Sequence, residues 1–276
     1  MSIKTDGLAD SPLMFVFLDV SSLPRHRRLY EEVFGFRVIE NQFHPPHEHH
    51  GLVKYDAGGT ILAVNLFAER KFQRPDADGV TLVCRVADPD RLRPLSGYGQ
   101  RTGDDFTDAD GHHYRFTGAP ADPGLDAEIG ELRVAVPDLD AALPFYRDVL
   151  GLRPETVTGD SARFRTGTLD LTVYHAAQSP DGRPIRHNAC LMVFYTGDVV
   201  AAERDLRERG LTFSQGAGFS DIGGTARFRD PSGHVFCLYQ PSAESLTWGS
   251  ADKVMELMTS RPSGSSSRNY RAPTRR

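Results

Sequence analysis

The chain is poor in cysteine and tryptophan, with three Cys and one Trp in 276 residues. Cys84, Cys190 and Cys237 are odd in number, lie far apart and form no C-x-x-C pair, which excludes a disulfide framework and fits reduced thiols. Positive charge is also scarce. Thirty-two Lys and Arg face 37 Asp and Glu, giving a net charge of −5 and a pI near 6.1, so the chain has no general attraction to phosphate backbones or anionic lipid. Nucleic acid and membrane are therefore not expected partners. The early apolar run from Leu13 to Leu18 stops at Asp19, without a basic leader or a small-residue cleavage site. No stretch approaches the roughly 18 apolar residues of a membrane helix, and a cytoplasmic location is the expectation. Also absent are a G-x-S-x-G elbow, a G-x-x-x-x-G-K loop and a dinucleotide fingerprint, so covalent hydrolase and nucleotide chemistry have no support.

What is present is globular: 39% hydrophobic and 25% charged residues in a chain long enough for two domains. From about Thr259 the sequence turns to Ser263-Gly-Ser-Ser-Ser267 and Arg-rich polar residues, a composition expected to leave 259–276 disordered. Before that, the chain repeats itself. Tyr30-Glu-Glu-Val-Phe-Gly-Phe36 recurs 116 residues later as Tyr146-Arg-Asp-Val-Leu-Gly-Leu152. Asp108-Ala-Asp-Gly-His-His-Tyr-Arg-Phe116 recurs 122 residues later as Asp230-Pro-Ser-Gly-His-Val-Phe-Cys-Leu238. A period this long indicates a duplicated domain. The first copy spans 12–118 and the second 129–242, with a Gly/Pro/Ala-rich linker at 119–128.

A fainter echo, Asp138-Leu-Asp-Ala-Ala142 against Asp198-Val-Val-Ala-Ala202, divides the second copy again. Glu131 to Val136 alternates as a strand, and Pro137-Asp138 then supplies a helix start. Ala142, Phe145, Tyr146, Val149 and Leu150 follow at helical spacing, with Gly151 placed for a left-handed cap. Arg153–Thr158, Ser161–Thr166 and Leu169–His175 read as strands, so the unit is βαβββ. It recurs as strand Ala189–Tyr195, helix Val199–Arg209, and strands near Thr212, Ala226–Arg229 and Val235–Gln240. In the first copy, the helix after Val80–Val86 is interrupted by Pro94 and Gly97 and is expected to be short or absent.

The succession of strand, Val-Pro-Asp-Leu-Asp, Phe-Tyr-x-x-Val-Leu-Gly-Leu and Asp-Pro-x-Gly-His resembles the vicinal oxygen chelate superfamily of glyoxalases, bleomycin-resistance proteins and extradiol dioxygenases, in a two-domain form of actinobacterial type. The resemblance implies an α+β fold of two tandem vicinal oxygen chelate domains, each a pair of βαβββ modules forming a cupped mixed sheet. Metal-dependent members take ligands from the first and closing strands. Here those positions carry Phe15 and Glu131 on the first strands, and Arg115 and Cys237 on the closing strands. The remaining inner positions, near Asn65, Leu82, Leu171 and Leu191, add no His or carboxylate, whereas a metal site needs about three convergent donors. No cofactor is expected.

Phe15 and Phe17 share one strand face, as do Val235, Cys237 and Tyr239. With Asn65, Arg115, Glu131 and Arg133 they form the expected binding set for a flat, hydrophobic ligand, although each aromatic could equally be core. Glu131 could serve as a general base if burial raised its pKa; pairing with Arg133 is the plainer reading. Arg115 could likewise be simply ion-paired, and Cys237 is expected to be a buried, inert thiol. His44-Pro-Pro-His47-Glu48-His49-His50 offers a weaker metal alternative through His47, His49 and Glu48, but it reads as a polar hairpin loop.

The resemblance therefore implies a metal-independent protein that sequesters an aromatic or polyketide-type antibiotic, for self-resistance or as an accessory in antibiotic biosynthesis. A biosynthetic enzyme is a partner this reading leaves open. The alternative is an enzyme: a cofactor-independent isomerase, cyclase or oxygenase using Glu131, or a divergent metal-dependent lyase or dioxygenase. An interaction module docking through the eroded first copy is a third class. A monomer or weak homodimer is expected, because the duplication can complete the cups within one chain.

Overall fold

The computed structural model describes residues 7–42, 50–67, 79–176 and 190–259. The tail beyond 259 and the sequence-predicted metal alternative at His47, Glu48 and His49 lie outside these residues.

Four modules follow one another. The first holds β1 (Leu13–Asp19), α1 (Leu23–Arg28), β2 (Arg37–Asn41), β3 (His50–Asp56) and β4 (Ile61–Phe67). The second holds β5 (Val80–Val86), β6 (Gly99–Thr102), β7 (Asp105–Asp108) and β8 (His113–Phe116). Where the other modules have an α-helix, this one has a 3₁₀ turn at Pro89–Gly97, the erosion expected from Pro94. The third comprises β9 (Ala127–Val136), α2 (Leu139–Pro144), β10 (Pro154–Val157), β11 (Ser161–Thr166) and β12 (Leu169–His175). The fourth comprises β13 (Cys190–Tyr195), α3 (Val199–Glu208), β14 (Phe213–Ser220), β15 (Gly223–Arg229) and β16 (Val235–Pro241).

The local chemistry behind these elements repeats as well. Asp138 caps α2 by accepting from the Ala141 N–H at 3.0 Å, and Asp198 caps α3 through Ala201 at 2.9 Å. Gly35 and Gly151, equivalent in the repeat, end the two helical segments with φ of 88° and 74°, a left-handed geometry that would strain any residue with a Cβ.

The strands form two eight-stranded mixed sheets, ordered β14-β15-β16-β13-β1-β4-β3-β2 and β10-β11-β12-β9-β5-β8-β7-β6. The first joins modules one and four, with β1 antiparallel to β13 and Val16 opposite Met192. The second joins modules two and three, with β5 antiparallel to β9 and Leu82 opposite Leu132. The expectation that each half closes its own cup is corrected on this point: each cup draws one module from each half. The two modules of a half instead face each other across the core. Tyr30 and Tyr114 share a hydrogen bond at 2.7 Å, and the Tyr146 hydroxyl donates to Asp230 at 2.6 Å. Two modules whose helix-bearing faces pack together in this way belong to opposite sheets.

One hydrophobic core fills the space between the sheets and includes Tyr30, Phe34, Leu82, Leu132, Tyr146, Phe164, Leu171 and Phe236. Leu82 and Leu171 thus point into the core, which corrects their sequence-based placement inside a cup. A separate apolar cluster lies on the other face of the first sheet, around Phe15, Ile61, Val193 and Cys237. After β16 the chain runs through a 3₁₀ turn at Ser245–Thr247 into α4 (Ala251–Thr259), whose Val254 and Leu257 pack onto this cluster. This helix was not foreseen, although Val254, Leu257 and Met258 carry the i, i+3, i+4 spacing of a packed face. No described helix is long and apolar enough to cross a membrane.

Candidate ligand-binding cup

Strand alternation places the two cup faces on opposite sides of the molecule from the shared core, and the two faces differ in chemistry. On the first sheet, neighbouring strands set Phe15 beside Val193 and Val193 beside Cys237; one row away, Phe17 lies beside Leu191 and Leu191 beside Val235. These side chains floor a cavity of about 600 Å³. Such a volume suits a ligand of drug size. The sequence-predicted residues Phe15, Phe17, Asn65, Cys237 and Tyr239 all line it. The Phe15 ring lies 5.6 Å from Phe17 and 5.7 Å edge-on from Tyr239, so the aromatics form one continuous surface.

The polar lining includes residues the sequence reading passed over: Asp19, Lys54, Arg227, Arg229 and, beside them, Trp248. Lys54 occupies a gap between two rings, its ammonium 5.9 Å from the Phe15 centroid and 5.4 Å from that of Trp248. It is ion-paired with buried Glu40 at 2.8 Å and donates to Ser250 at 3.2 Å. Burial pushes the Glu40 carboxyl upward, but Lys54 and two hydrogen bonds from Ser250 outweigh it and hold the group below the ordinary carboxylate range. On the opposite wall, Arg227 faces Cys237 across the β15–β16 register. Burial raises the Cys237 thiol to about 11, even with Arg227 nearby drawing it down. The thiol is therefore protonated at neutral pH and is not a nucleophile. The period-two pattern of Thr225, Arg227 and Arg229 on β15 was the available signal for this wall.

The second sheet presents a charged face, and Arg115, Glu131 and Arg133 belong to it. The structure does not bring them together with Phe15 and Cys237. Arg115 forms a bidentate pair with Asp105 at 2.6 and 2.9 Å. Arg133 lies over the Tyr174 ring at 4.7 Å, with its Nε 3.9 Å from Glu131. Arg163 pairs with Asp170, and Arg165 bridges Asp170 and Glu155 at 3.5 and 3.0 Å. Glu131 is 29% exposed and has the Arg133 cation beside it.

The residues present do not fit the divalent cation of metal-dependent relatives. The first cup offers Phe15 and Cys237 at the ligand positions, and the second sheet offers Glu131 and Arg115. Among the described residues, no group of three or more His, Cys, Asp or Glu converges as a metal site.

Residues 128–238 match the model of the Glyoxalase/Bleomycin resistance protein/Dioxygenase superfamily. No curated protein matches the sequence. Among solved structures, glyoxalase I from Zea mays superposes with a TM-score of 0.61 at 18% identity, over 91% of this chain and 96% of that one. A proposed dioxygenase from Bacillus subtilis subsp. subtilis strain 168 gives 0.61 at 14% identity, over 91% of each chain. The V278E mutant of the maize glyoxalase I gives 0.62 at 16% identity, over 90% of this chain and 95% of that one. Identities this low establish the fold alone. The chain therefore has the vicinal oxygen chelate fold, and its second half carries the sequence signature of the glyoxalase, bleomycin resistance protein and dioxygenase superfamily.

Proposed function

We propose that this protein binds a large, flat, mainly apolar small molecule in the cup of the first sheet, without a metal, and so sequesters an aromatic natural product of antibiotic or polyketide type. The observation that carries this reading is the cavity of about 600 Å³ floored by Phe15, Phe17, Val193 and Tyr239. Rings on that surface gain apolar burial and edge or face contacts, the main sources of affinity in such sites. The superfamily that residues 128–238 match includes bleomycin resistance proteins, which supports sequestration as a role. Self-resistance, or relief of a biosynthetic enzyme from its own product, would each use this binding step. The enzymatic alternative through Glu131 is less favoured, because that residue lies on the other sheet and a ligand in this cup does not meet it.

Trp248, the chain's one tryptophan, borders the cavity and reports directly on occupancy. Titration with 1,8-dihydroxyanthraquinone and tetracyclic polyketides is expected to quench its emission saturably at one equivalent, with matching heat in calorimetry. Phe17→Ala should weaken binding by about tenfold, the equivalent of 1.4 kcal/mol. Absence of saturable quenching and heat across that panel would overturn the reading. Steady chemical conversion of a bound compound would replace it with the enzymatic one.

A further inference from the structure

The two polar walls of the cup carry opposite kinds of unfinished business, and this assigns an electrical polarity to the ligand. Lys54 is already neutralised by Glu40 at 2.8 Å. Arg229 commits a guanidinium N–H to the Gly233 carbonyl at 2.6 Å. Arg227 differs from both: it lines the cavity, and among the described residues it has no carboxylate partner. Its neighbour across the strand pair is Cys237, a protonated thiol that cannot balance its charge. Asp221, which also lines the cavity, accepts from the Ile222 N–H at 3.0 Å.

Asn65 stands at the far wall. It is only 8% exposed and lines the cavity, and its side-chain amide has no hydrogen-bond partner among the described residues. Asp19 adjoins it in the β1–β4 register and also borders the cavity. β15 and β4 are four strand spacings apart, roughly 19 Å along the sheet at about 4.8 Å per strand. A ligand touching both walls reaches across the cup from β15 to β4.

Resting on the reading of this cup as the ligand site, we infer that the ligand is an aromatic acid, its carboxylate or acidic phenolate paired with Arg227 and a neutral carbonyl or hydroxyl elsewhere on it facing Asn65. A guanidinium presents parallel N–H donors that match a carboxylate edge. The neutral amide of Asn65 can donate and accept at once, which suits a carbonyl or hydroxyl substituent.

The test uses two probes of nearly the same shape, anthraquinone-2-carboxylate and anthraquinone-2-carboxamide, followed by Trp248 emission and calorimetry on the full chain. The carboxylate is expected to bind at least about tenfold more tightly than the amide, with the advantage shrinking as salt rises. Arg227→Gln should remove that advantage by weakening carboxylate binding more than amide binding, while Arg227→Lys should retain part of it. Arg227 is exposed, and circular dichroism of each variant verifies its fold. Equal affinities in the unmodified protein, or a carboxylate preference that survives in Arg227→Gln, would overturn the inference while leaving the cup as a binding site. Failure of both probes to quench Trp248 or release heat would overturn the cup reading along with it.

Discussion

The Tyr146 hydroxyl donates to Asp230 at 2.6 Å, and this one bond ties the helical segment of the third module to the closing turn of the fourth. Asp230 is buried and also accepts from the His234 N–H at 2.7 Å and from its Nδ1 at 2.9 Å. Removing the phenol leaves a buried carboxylate short of one donor. Tyr146→Phe is therefore expected to cost about 1.5–3 kcal/mol, the range for hydrogen bonds to charged groups. Urea unfolding measures it, and a loss under about 0.5 kcal/mol would mean that water replaces the phenol there.

The first half solves the same problem with a different set of partners, and that set responds to pH. His26 lies 3.3 Å from Asp108 and 3.5 Å from Asp110, all three buried. Burial pushes the imidazole down, but the two carboxylates and the Ser22 carbonyl raise it above its ordinary value of 6.5. Burial pushes Asp108 up, but His112 and His26 bring it down to about 2 from 3.8. A raised histidine stabilises the fold fully below 6.5, and that contribution fades as pH climbs through its folded value. A depressed aspartate stabilises fully above 3.8, and that contribution fades as pH falls towards about 2. Both act together between about pH 4 and 6. The stability gap between the unmodified protein and His26→Gln should accordingly be larger at about pH 5.5 than at about pH 8.5 in urea titrations. A gap that widens with rising pH would contradict the assignment.

These ties explain why so much of the fold was legible in the sequence. Tyr30 and Tyr146, and Asp108 and Asp230, stand out as repeats because each pair does one structural job, and Gly35 and Gly151 stand out because both take a left-handed φ. Strand alternation then placed Phe15, Phe17, Cys237 and Tyr239 on a shared face. The pairing of modules was not legible, because a repeat records that two units are alike and is silent on which edges hydrogen-bond. That one gap moved Glu131 and Arg115 away from Phe15 and Cys237. Lys54, Arg227 and Trp248 escaped notice for a related reason: they reach the cup from flanking strands and from the segment before α4, and they belong to no repeated motif.

The thiols offer a check on the cup's interior. All three cysteines are buried, and burial holds Cys84 well above the ordinary thiol range and Cys237 at about 11. An aromatic disulfide reagent at neutral pH should therefore leave the native chain unmodified over minutes and titrate all three thiols in denaturant. Cys237→Ala is expected to keep ligand binding within about threefold, since the sulfur supplies packing rather than chemistry. Rapid labelling of Cys237 in the native protein would show that its thiolate is accessible and reactive.

Trp248 is held over the cup by the segment that leads into α4. Ser250, just two residues beyond it, donates through its hydroxyl to Glu40 at 2.7 Å and through its N–H at 3.1 Å, and accepts from Lys54 at 3.2 Å. Ser250→Ala deletes the hydroxyl but leaves the Lys54–Glu40 pair at 2.8 Å, so it avoids the roughly 3–5 kcal/mol penalty of an uncompensated buried charge. What it loosens is the start of α4, which keeps Val254 and Leu257 on the Phe15 cluster and Lys253 on Asp56 at 3.1 Å. Local opening is governed by such few contacts, so the segment from Ser245 to Thr259 should open more often while the sheets persist. A red shift of Trp248 emission and faster acrylamide quenching, with unchanged far-ultraviolet dichroism, is the expected outcome. Unchanged quenching would place the anchor in the apolar contacts of Val254 and Leu257 instead, and Leu257→Ala should then release the indole where Ser250→Ala does not.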